Sequence, residues 1–369
     1  MPWQAREAEN RQVAALLGMQ RWKRAAMAAA FAHDGTHPPF AETPEAALGL
    51  ARGRGAIAAW ATRLPDGFAA RCAGAGVPLW QVEDGFLRSI GLGVDFAPAA
   101  SLCVDAEGPH YDPARPSGLE RLLSDADFPP ALLARAAALR ARIVAGGLTK
   151  YNLRQPAPPL PASPGRDRIL VPGQVEDDAS VRLGAAGIRT NLGLLEAVRA
   201  AHPEAFLIYR PHPDVLTGYR RGHVPRRLAL RLADHVSEGG DIHASFAQVD
   251  AVHVLTSLAG FEALLRGLPV TCWGRPFFSG WGLSEDRNSP PRRGRALPLD
   301  ALVAVALILY PRYTDPVTLR PCEVETVLDR LEQPRDWPRL PPGRRLYLHW
   351  WRQQGRALRL ARRLGLWRR

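Results

Sequence analysis

Five prolines in ten residues, from Gln155 to Pro164, constrain this 369-residue chain more than any other feature. Proline has no amide hydrogen and a fixed φ, so the segment can form neither a helix interior nor a central strand. We therefore expect a linker at 155–164, with one domain at 1–154 and another at 165–335. A chain of this length with 46% hydrophobic residues suits two compact domains better than one.

Short apolar runs alternate with helical patterns on both sides of this linker. The alternation is typical of a parallel sheet, because parallel strands need a crossover between them. Two such units predict an α/β protein of two Rossmann-like domains that face a cleft. The predicted strands are 56–60, 77–82, 168–171, 205–209, 251–255 and 270–273, and the predicted helices are 12–31, 65–75, 128–147, 191–201 with Thr190 as its cap, 258–265 and 299–310.

The chain has a formal net charge of +12, which favours an anionic partner: nucleic acid, anionic lipid or a phosphorylated sugar. The four cysteines lie far apart without a CxxC pair, which indicates buried reduced thiols rather than a zinc site or a disulfide scaffold. The first ten residues carry both signs of charge, unlike a signal peptide, and no apolar run reaches the roughly 18–20 residues needed to span a bilayer. We therefore expect a cytoplasmic protein.

Residues 336–369 are expected to form a basic amphipathic tail. Nine arginines and no acid occur between Arg344 and Arg369, with leucines and tryptophans among them. Segments of this kind often lie on anionic membranes, so the tail predicts peripheral contact with the inner face of the inner membrane. The alternative is a terminal helix that packs on the protein with solvated arginines. Nucleic acid is not expected as a partner, because no nucleic-acid-binding motif accompanies the charge.

Four polar clusters follow predicted strands, where ligands bind in doubly wound sheets. Each also has an ordinary explanation. The first contains the turn pair Asp84-Gly85, the second can be a solvated loop or an acidic helix start, the third can hold a structural histidine, and the fourth can be a helix cap. The clusters are Glu83-Asp84-Gly85 with Arg88 and Ser89, then Gln174 to Ser180, then Arg210 to Pro213, and finally Thr256-Ser257 with Gly260 and Glu262.

The residue types in these clusters suit acid–base chemistry beside a phosphate. A carboxylate at a strand end can serve as a general acid or base when burial raises its pKa. An imidazole between two prolines, as at His212, can donate to a phosphate, and the hydroxyls and N–H groups of a helix start such as Thr256-Ser257 bind phosphate well. The loop 273–282, rich in glycine and aromatic residues and including Trp281, can close over a ligand or pack two domains together.

Taken together, these motifs resemble the bacterial capsule-synthesis β-Kdo transferases, which use the acidic eight-carbon sugar Kdo activated as CMP-Kdo. The similarity covers roughly residues 15–330, and five separated motifs occur in the family's order. Typical enzymes of this kind carry two transferase modules, and this chain has the length of one and resembles the second. The resembling stretches are 82–93, 116–120, 171–180, 210–214 and 256–286.

This resemblance implies a GT-B fold that holds the donor mainly on the second domain, and retention of the β configuration through a covalent sugar intermediate on an aspartate. In the pattern Gln-x-x-x-Asp-Ala-Ser the matching nucleophile is Asp178 rather than Asp177. Glu83 matches the acid/base, with Asp84 as its rival. The CMP phosphate is expected at His212 and Ser257, and further contacts with the nucleotide sugar are expected from Arg88, Ser89, Gln174, Ser180, Arg210, Thr256, Gly260, Glu262 and Trp281.

The resemblance also bears on cofactors and partners. CMP-Kdo would be the donor substrate without a separate cofactor, and Arg, His and a helix start can neutralise its single phosphate without a metal. Mg²⁺ at the acids of 176–178 is the less favoured alternative. The expected acceptor is a lipid-linked glycan in capsule or surface polysaccharide assembly. Two other functions stay open: transfer of another CMP-linked ulosonic acid such as a sialic acid, because bacterial polysialyltransferases have similar motifs, and non-catalytic binding or export of polysaccharide.

Overall fold

The computed structural model describes residues 3–91, 96–153, 155–156, 158–216, 218, 220–335 and 337–338. The described residues form two α/β units. The first contains Met1–Asn152 and Asp300–Pro338, and the second contains Leu153–Leu299. The change of unit after Asn152 lies close to the predicted linker at 155–164.

Strands and helices are numbered along the chain. The strands are β1 (Val13–Leu17), β2 (Phe40–Ala41), β3 (Ala56–Trp60), β4 (Leu79–Asp84), β5 (Ser101–Asp105), β6 (Arg168–Pro172), β7 (Phe206–Arg210), β8 (His235–Val236), β9 (Ala251–Val254), β10 (Val270–Cys272), β11 (Glu285–Asp286), β12 (Pro311–Thr314) and β13 (Pro321–Cys322). The α-helices are α1 (Trp3–Asn10), α2 (Arg24–Ala30), α3 (Pro44–Ala51), α4 (Phe68–Gly74), α5 (Gly118–Asp125), α6 (Pro130–Ala145), α7 (Ala179–Gly184), α8 (Asn191–Ala201), α9 (Pro213–Leu216), α10 (Arg226–Ala229), α11 (Ile242–Phe246), α12 (Leu258–Leu265), α13 (Leu299–Val303) and α14 (Val324–Glu332). Short 3-10 turns occupy Arg21–Lys23 and Ala61–Arg63, and a π-helical turn occupies Ala304–Leu309.

The sheet of the first unit has seven strands in the order β13-β12-β5-β4-β3-β1-β2. From β2 to β4 the pairs are parallel, as predicted. Strand β5 runs antiparallel to β4, and β12 runs antiparallel to β5, so this sheet is mixed. The α/β alternation predicted for the first unit thus gives parallel pairs on one side of its sheet, and antiparallel strands complete the other side.

The sheet of the second unit has six strands, all parallel, in the order β11-β10-β9-β6-β7-β8. Its central strands β6 and β7 are almost entirely buried, which explains why they read as continuous apolar runs. Helix α8 begins after Thr190, whose Oγ1 accepts a hydrogen bond from Gly193 N at 3.0 Å. The predicted helix at 191–201 and its cap are confirmed.

The predicted helix at 12–31 is wrong over its first half. Residues Val13–Leu17 form β1, which lies between β2 and β3 in the sheet. Only Arg24–Ala30 is α-helical. A short, fully apolar run fits a buried strand and a buried helix equally well, because periodicity cannot separate the two.

The predicted second domain at 165–335 ends too late. The chain returns to the first unit at Asp300, and Pro311–Thr314 pairs with Ser101–Asp105. Helix α14 packs its buried residues Val327 and Leu328 in the same unit. Nothing in the local sequence marks this return, since the pairing joins strands that lie about two hundred residues apart.

No helix in the described parts of the chain is long and apolar enough to cross a membrane. The predicted core helix at 299–310 is confirmed as α13 with its π-helical turn, and its residues are almost all buried. All four cysteines are unbonded thiols, of which Cys322 is half-buried and the others are buried. The predicted basic tail at 336–369 lies outside the described residues apart from 337 and 338.

Candidate functional site

Glu83, the second-last residue of β4, has the properties of a general acid or base. Its Oε1 accepts hydrogen bonds from Thr62 N at 3.1 Å and from Tyr111 Oη at 3.2 Å. Burial and the charge of the neighbouring Asp84 raise the pKa of Glu83 to about 7. A carboxyl group with this pKa exchanges its proton near neutral pH, where acid–base catalysis is most efficient.

Asp84 differs sharply from its neighbour. Its Oδ2 lies 2.8 Å from Arg88 Nε, and its Oδ1 lies 3.3 Å from Lys23 Nζ. Burial acts to raise the pKa of Asp84, but the charges of Arg88, Lys23 and Lys150 outweigh it and lower the pKa to about 2. Asp84 is therefore a fixed anion held by cations, which favours Glu83 over Asp84 as the group that exchanges a proton.

Arg88 and Ser89 are linked to Asp84, because Arg88 pairs with Asp84 and also bonds to Ser89. Arg88 is 1% exposed and its Nη1 donates to Ser89 Oγ at 2.8 Å. The Ser89 hydroxyl donates to Gly91 O at 2.7 Å, and its carbonyl accepts from Asn152 Nδ2 at 3.0 Å. Both side chains are buried and bonded within the unit, and their contact with the nucleotide sugar stays a prediction.

Lys23 was not anticipated as a site residue. It lies in the turn after β1, and its ammonium group is 3.4 Å from the centroid of the Trp60 ring. The chain has only two lysines among its 48 basic residues, Lys23 and Lys150, and the charges of both act on Asp84. The rarity of lysine in the sequence is the signal that could have pointed to these two residues.

In the second unit, Asp178 caps the start of α7. Its Oδ1 accepts hydrogen bonds from Ser180 N at 3.0 Å and from Ser180 Oγ at 2.7 Å. Within the described part of the chain, nothing donates a hydrogen bond to its other oxygen, Oδ2. The half-buried carboxylate is thus oriented through one oxygen while the second can react.

The two acids beside Asp178 have other partners. Glu176 Oε1 accepts from Asn191 N at 2.7 Å, and the exposed Asp177 forms an ion pair of 3.4 Å with Arg220. The three neighbouring carboxylates thus point to different partners. Across the described residues, no three His, Cys, Asp or Glu side chains group as ligands for a metal ion, and a metal-free reaction stays a prediction.

Gln174 and Thr256 join the loops after β6 and β9. Gln174 Nε2 donates to Thr256 Oγ1 at 3.0 Å, and Thr256 N donates to Gln174 Oε1 at 3.0 Å. Asn191, which the sequence did not suggest, fixes the same loop because its Oδ1 accepts from Gln174 N and its Nδ2 donates to Gln174 O, each at 2.8 Å. Next to Thr256, Ser257 Oγ accepts from Ala259 N at 3.2 Å and caps α12.

The motif Arg210-Pro-His212-Pro divides into two parts. Arg210 is buried and donates to Gly239 O at 2.8 Å and Gly240 O at 2.6 Å, so it fixes a backbone turn. That Arg210 also contacts the donor stays a prediction. His212 Nδ1 accepts from Asp214 N at 3.1 Å, which places the proton of the neutral ring on Nε2, where it can serve as a donor.

Three further predicted contacts lie in the core of the second unit. Trp281 is fully buried and its Nε1 donates to Phe277 O at 2.8 Å. Gly260 is buried in α12, where a Cβ atom would clash with the Phe278 ring. Glu262 is buried on the same helix. The packing of α12 against Phe278 explains the glycine at 260, and contacts of these three residues with the nucleotide sugar stay predictions.

The fold and these sites define a class: an α/β protein of two open-sheet units in which carboxylates, an imidazole and hydroxyls lie at strand ends. The profile of the capsule polysaccharide biosynthesis protein family matches residues 55–156 and 160–313. The chain belongs to this family, which confirms the family inferred from its motifs.

Similar proteins of known sequence or structure agree with this membership. The chain is 48% identical over 241 residues to the lipopolysaccharide-processing protein LpsZ of Rhizobium meliloti, covering 64% of this chain and 54% of that protein. It is 44% identical over 250 residues to the capsule polysaccharide modification protein LipA of Neisseria meningitidis serogroup A, covering 68% of this chain and 35% of that protein. The chain therefore spans about half, or about a third, of the length of these curated relatives.

Two solved structures share the fold over most of the chain. One is the β-Kdo 2,7 transferase of KpsC from Thermosulfurimonas dismutans, with a TM-score of 0.72, 33% identity, and coverage of 87% of this chain and 99% of that chain. The other is the β-Kdo 2,4 transferase of KpsC from the same organism, with a TM-score of 0.73, 30% identity, and coverage of 86% and 98%.

Proposed function

We propose that this chain is a retaining glycosyltransferase that transfers β-Kdo from CMP-Kdo to a glycan acceptor in surface polysaccharide assembly. The structural similarity to two Kdo transferases, each matched over nearly its whole chain, supports the reaction class. One observation carries the assignment of roles. A carboxyl group with a pKa of about 7, Glu83, occurs in one unit, and Asp178, a carboxylate oriented through one oxygen, occurs in the other.

The proposed reaction has two displacements. Asp178 Oδ2 attacks the anomeric carbon, CMP departs, and a sugar ester forms on the enzyme. Glu83 then takes the proton of the acceptor hydroxyl as that oxygen displaces Asp178. Two inversions give net retention of configuration.

The charge that develops on the departing CMP would be stabilised in the second unit. His212 Nε2–H is a suitable donor to a phosphate oxygen, since its Nδ1 accepts from Asp214 N. The start of α12, capped by Ser257, offers N–H groups and the positive end of a helix dipole. These hydrogen-bond donors and the helix dipole can stabilise the charge of one phosphate. The proposed donor reaction therefore needs no separate cofactor.

The nucleophile is tested with two neighbouring substitutions. Asp178→Asn keeps a side chain that can cap α7 but cannot form a sugar ester, and Asp177→Asn removes the adjacent, exposed acid. We expect CMP release from CMP-Kdo to be lost in Asp178→Asn and kept in Asp177→Asn. Intact-protein mass spectrometry should find a Kdo adduct on Asp178 in the wild type. An adduct on another residue, or equal turnover by both variants, would refute the assignment.

The donor and acceptor are tested with a panel. Wild-type protein is incubated with CMP-Kdo or CMP-sialic acid, each with a free glycan or a lipid-linked one, and products are identified by mass spectrometry. Transfer of Kdo alone supports the proposal. Transfer of sialic acid alone points to another ulosonic acid, and binding of glycan without CMP release points to an accessory protein. The acceptor's lipid and the contact of residues 344–369 with an anionic membrane stay predictions.

A further inference from the structure

The two lysines of the chain have an unusual distribution. Forty-eight residues are Lys or Arg, and only Lys23 and Lys150 are Lys. At an exposed position the two residue types serve equally well as solvated cations, whereas a contact that needs a compact charge discriminates between them. Lys23 forms an ion pair with Asp84, and the charges of Lys23 and Lys150 both act to lower the pKa of that carboxyl group.

Lys23 is held on two sides. Its Nζ lies 3.3 Å from Asp84 Oδ1 and 3.4 Å from the centroid of the Trp60 ring, and its side chain is 11% exposed. An ammonium group attracts both the carboxylate and the negative face of the ring. A guanidinium group is planar and spreads its charge over a wider area, so an arginine would not reproduce this compact contact.

The effect of Lys23 extends to Glu83 across the strand. Glu83 and Asp84 are successive residues of β4, and the side chains of successive strand residues point to opposite faces of the sheet. The charged and titratable groups that act on Glu83 are Asp84, which raises its pKa, and Lys23 and Tyr111, which lower it. Arg88 and Lys150 bear on it through Asp84, whose charge they stabilise.

We propose that Lys23 is a positioning residue for the transferase reaction, whose compact ammonium group, packed against Trp60, holds the Asp84 carboxylate in place beside Glu83. This inference rests on the proposed function, in which Glu83 is the base. Lys23 itself touches no substrate in this scheme. Its loss leaves Glu83 next to an Asp84 anion that is less well compensated, so Glu83 holds its proton to higher pH.

The first experiment is a pH profile of Kdo transfer for Lys23→Met and Lys23→Arg. In Lys23→Met the midpoint moves to higher pH, and a move of one unit lowers the reactive fraction about tenfold at pH below the midpoint. Lys23→Arg keeps the charge and the midpoint but lowers turnover, because the guanidinium does not reproduce the compact contact with Trp60 and Asp84. Arg52→Met, which removes an exposed cation of the same unit, leaves the midpoint in place.

Two outcomes of these pH profiles would overturn the proposal. Wild-type turnover in Lys23→Arg means that shape is unimportant, and an unmoved midpoint in Lys23→Met means that the charge is unimportant. Circular dichroism and thermal unfolding identify a variant that fails to fold. If a Lys23 variant fails to fold, a second measurement, NMR of the labelled lysines, tests the proposal without any Lys23 variant.

That second measurement does not need catalysis. Protein labelled with ¹³C at the lysine ε-carbons gives two lysine resonances, which Lys150→Arg assigns. We expect the Lys23 resonance to respond to pH near 7 as Glu83 titrates, and the response to vanish in Glu83→Gln. A Lys23 resonance that is insensitive to Glu83→Gln overturns the proposal. A normal resonance response in a protein that releases no CMP from CMP-Kdo refutes the proposed function instead.

Discussion

Ser180 donates two hydrogen bonds to one oxygen of Asp178, from its backbone N at 3.0 Å and from its hydroxyl at 2.7 Å. Both bonds fix the carboxylate plane at the start of α7, so the other oxygen has a defined direction. The serine therefore matters for the orientation of the proposed nucleophile.

Ser180→Ala should lower turnover while leaving the unfolding temperature nearly unchanged. The variant loses the hydroxyl bond and keeps the backbone bond, so the carboxylate gains rotational freedom, and misorientation of this kind lowers rates by about ten- to a hundredfold. The readout is the initial rate of CMP release from CMP-Kdo. Ser180→Thr retains the hydroxyl and should restore most of the rate. If Ser180→Ala matches the wild type, the hydroxyl does not orient the nucleophile.

Glu83→Gln should abolish transfer to the acceptor and change how stability depends on pH. The folded pKa of Glu83, about 7, lies above its ordinary value, so the folded state binds the proton more tightly than the unfolded state. Stability from this group is full at pH below its unfolded pKa and falls as pH rises toward 7. Glu83→Gln removes this decline. Denaturant unfolding at pH 5 and pH 8 measures it, and equal pH dependence in both proteins would contradict the raised pKa.

Asp84→Asn is the matched control for that experiment. It leaves Arg88 and Lys23 buried without their anion, and breaking a buried ion pair in this way destabilises a protein by about 3–5 kcal/mol. We therefore expect lower stability at both pH values, unlike Glu83→Gln. A mild effect of Asp84→Asn together with a severe effect of Glu83→Gln on folding would reverse the roles assigned to the two acids.

The reciprocal bonds between Gln174 and Thr256 should make their substitutions non-additive. Gln174→Ala removes both bonds, whereas Thr256→Ala removes only the bond to Oγ1 and keeps the one from Thr256 N. The bond to Oγ1 is lost once in either single variant, so the double variant should be less damaged than the sum, with a coupling energy of about 0.5–3 kcal/mol. Unfolding free energies of the four proteins in the cycle measure this. Additive effects would show that the two loops are held independently.

The sequence predicted the second unit better than the first. Strands β6, β7, β9 and β10 are buried runs between clear helices, and their positions follow from local pattern alone. In the first unit, β12 pairs with β5 across a long stretch of chain, and such pairing depends on tertiary packing that no local pattern encodes. The same limitation explains why the return of residues 300–338 to the first unit was missed.

The candidate site was predictable where a residue acts through its position on a strand end. The motifs place Glu83, Asp178 and Ser257 at or after predicted strands, and the structure has them near the end of β4 and at the starts of α7 and α12, while their roles stay predictions. Arg210 and Trp281 also matched motifs, yet the structure engages them in backbone and core contacts, because a motif preserves architecture as well as chemistry. Lys23 and Asn191 could not be found in this way, since each acts on a segment distant in sequence.

A pair of tyrosines allows the cost of a buried hydroxyl to be separated from the value of its hydrogen bond. Tyr209 is buried in β7, and its Oη has no hydrogen-bond partner within the described chain. Tyr310 is buried too, but its Oη donates to Asp105 Oδ2 at 2.9 Å. Burial raises the pKa of both phenols, so both stay neutral.

Tyr209→Phe should therefore leave stability unchanged or raise it by about 1 kcal/mol, because it removes an unsatisfied polar group without opening a cavity. Tyr310→Phe should lower stability by about 1.5–3 kcal/mol, the range for a hydrogen bond to a charged group. Urea unfolding with unchanged m values compares the two, each substitution reporting on its own unit. An equal loss in both variants would mean that a buried water satisfies Tyr209, and the high-resolution crystal structure of the wild type would then contain it.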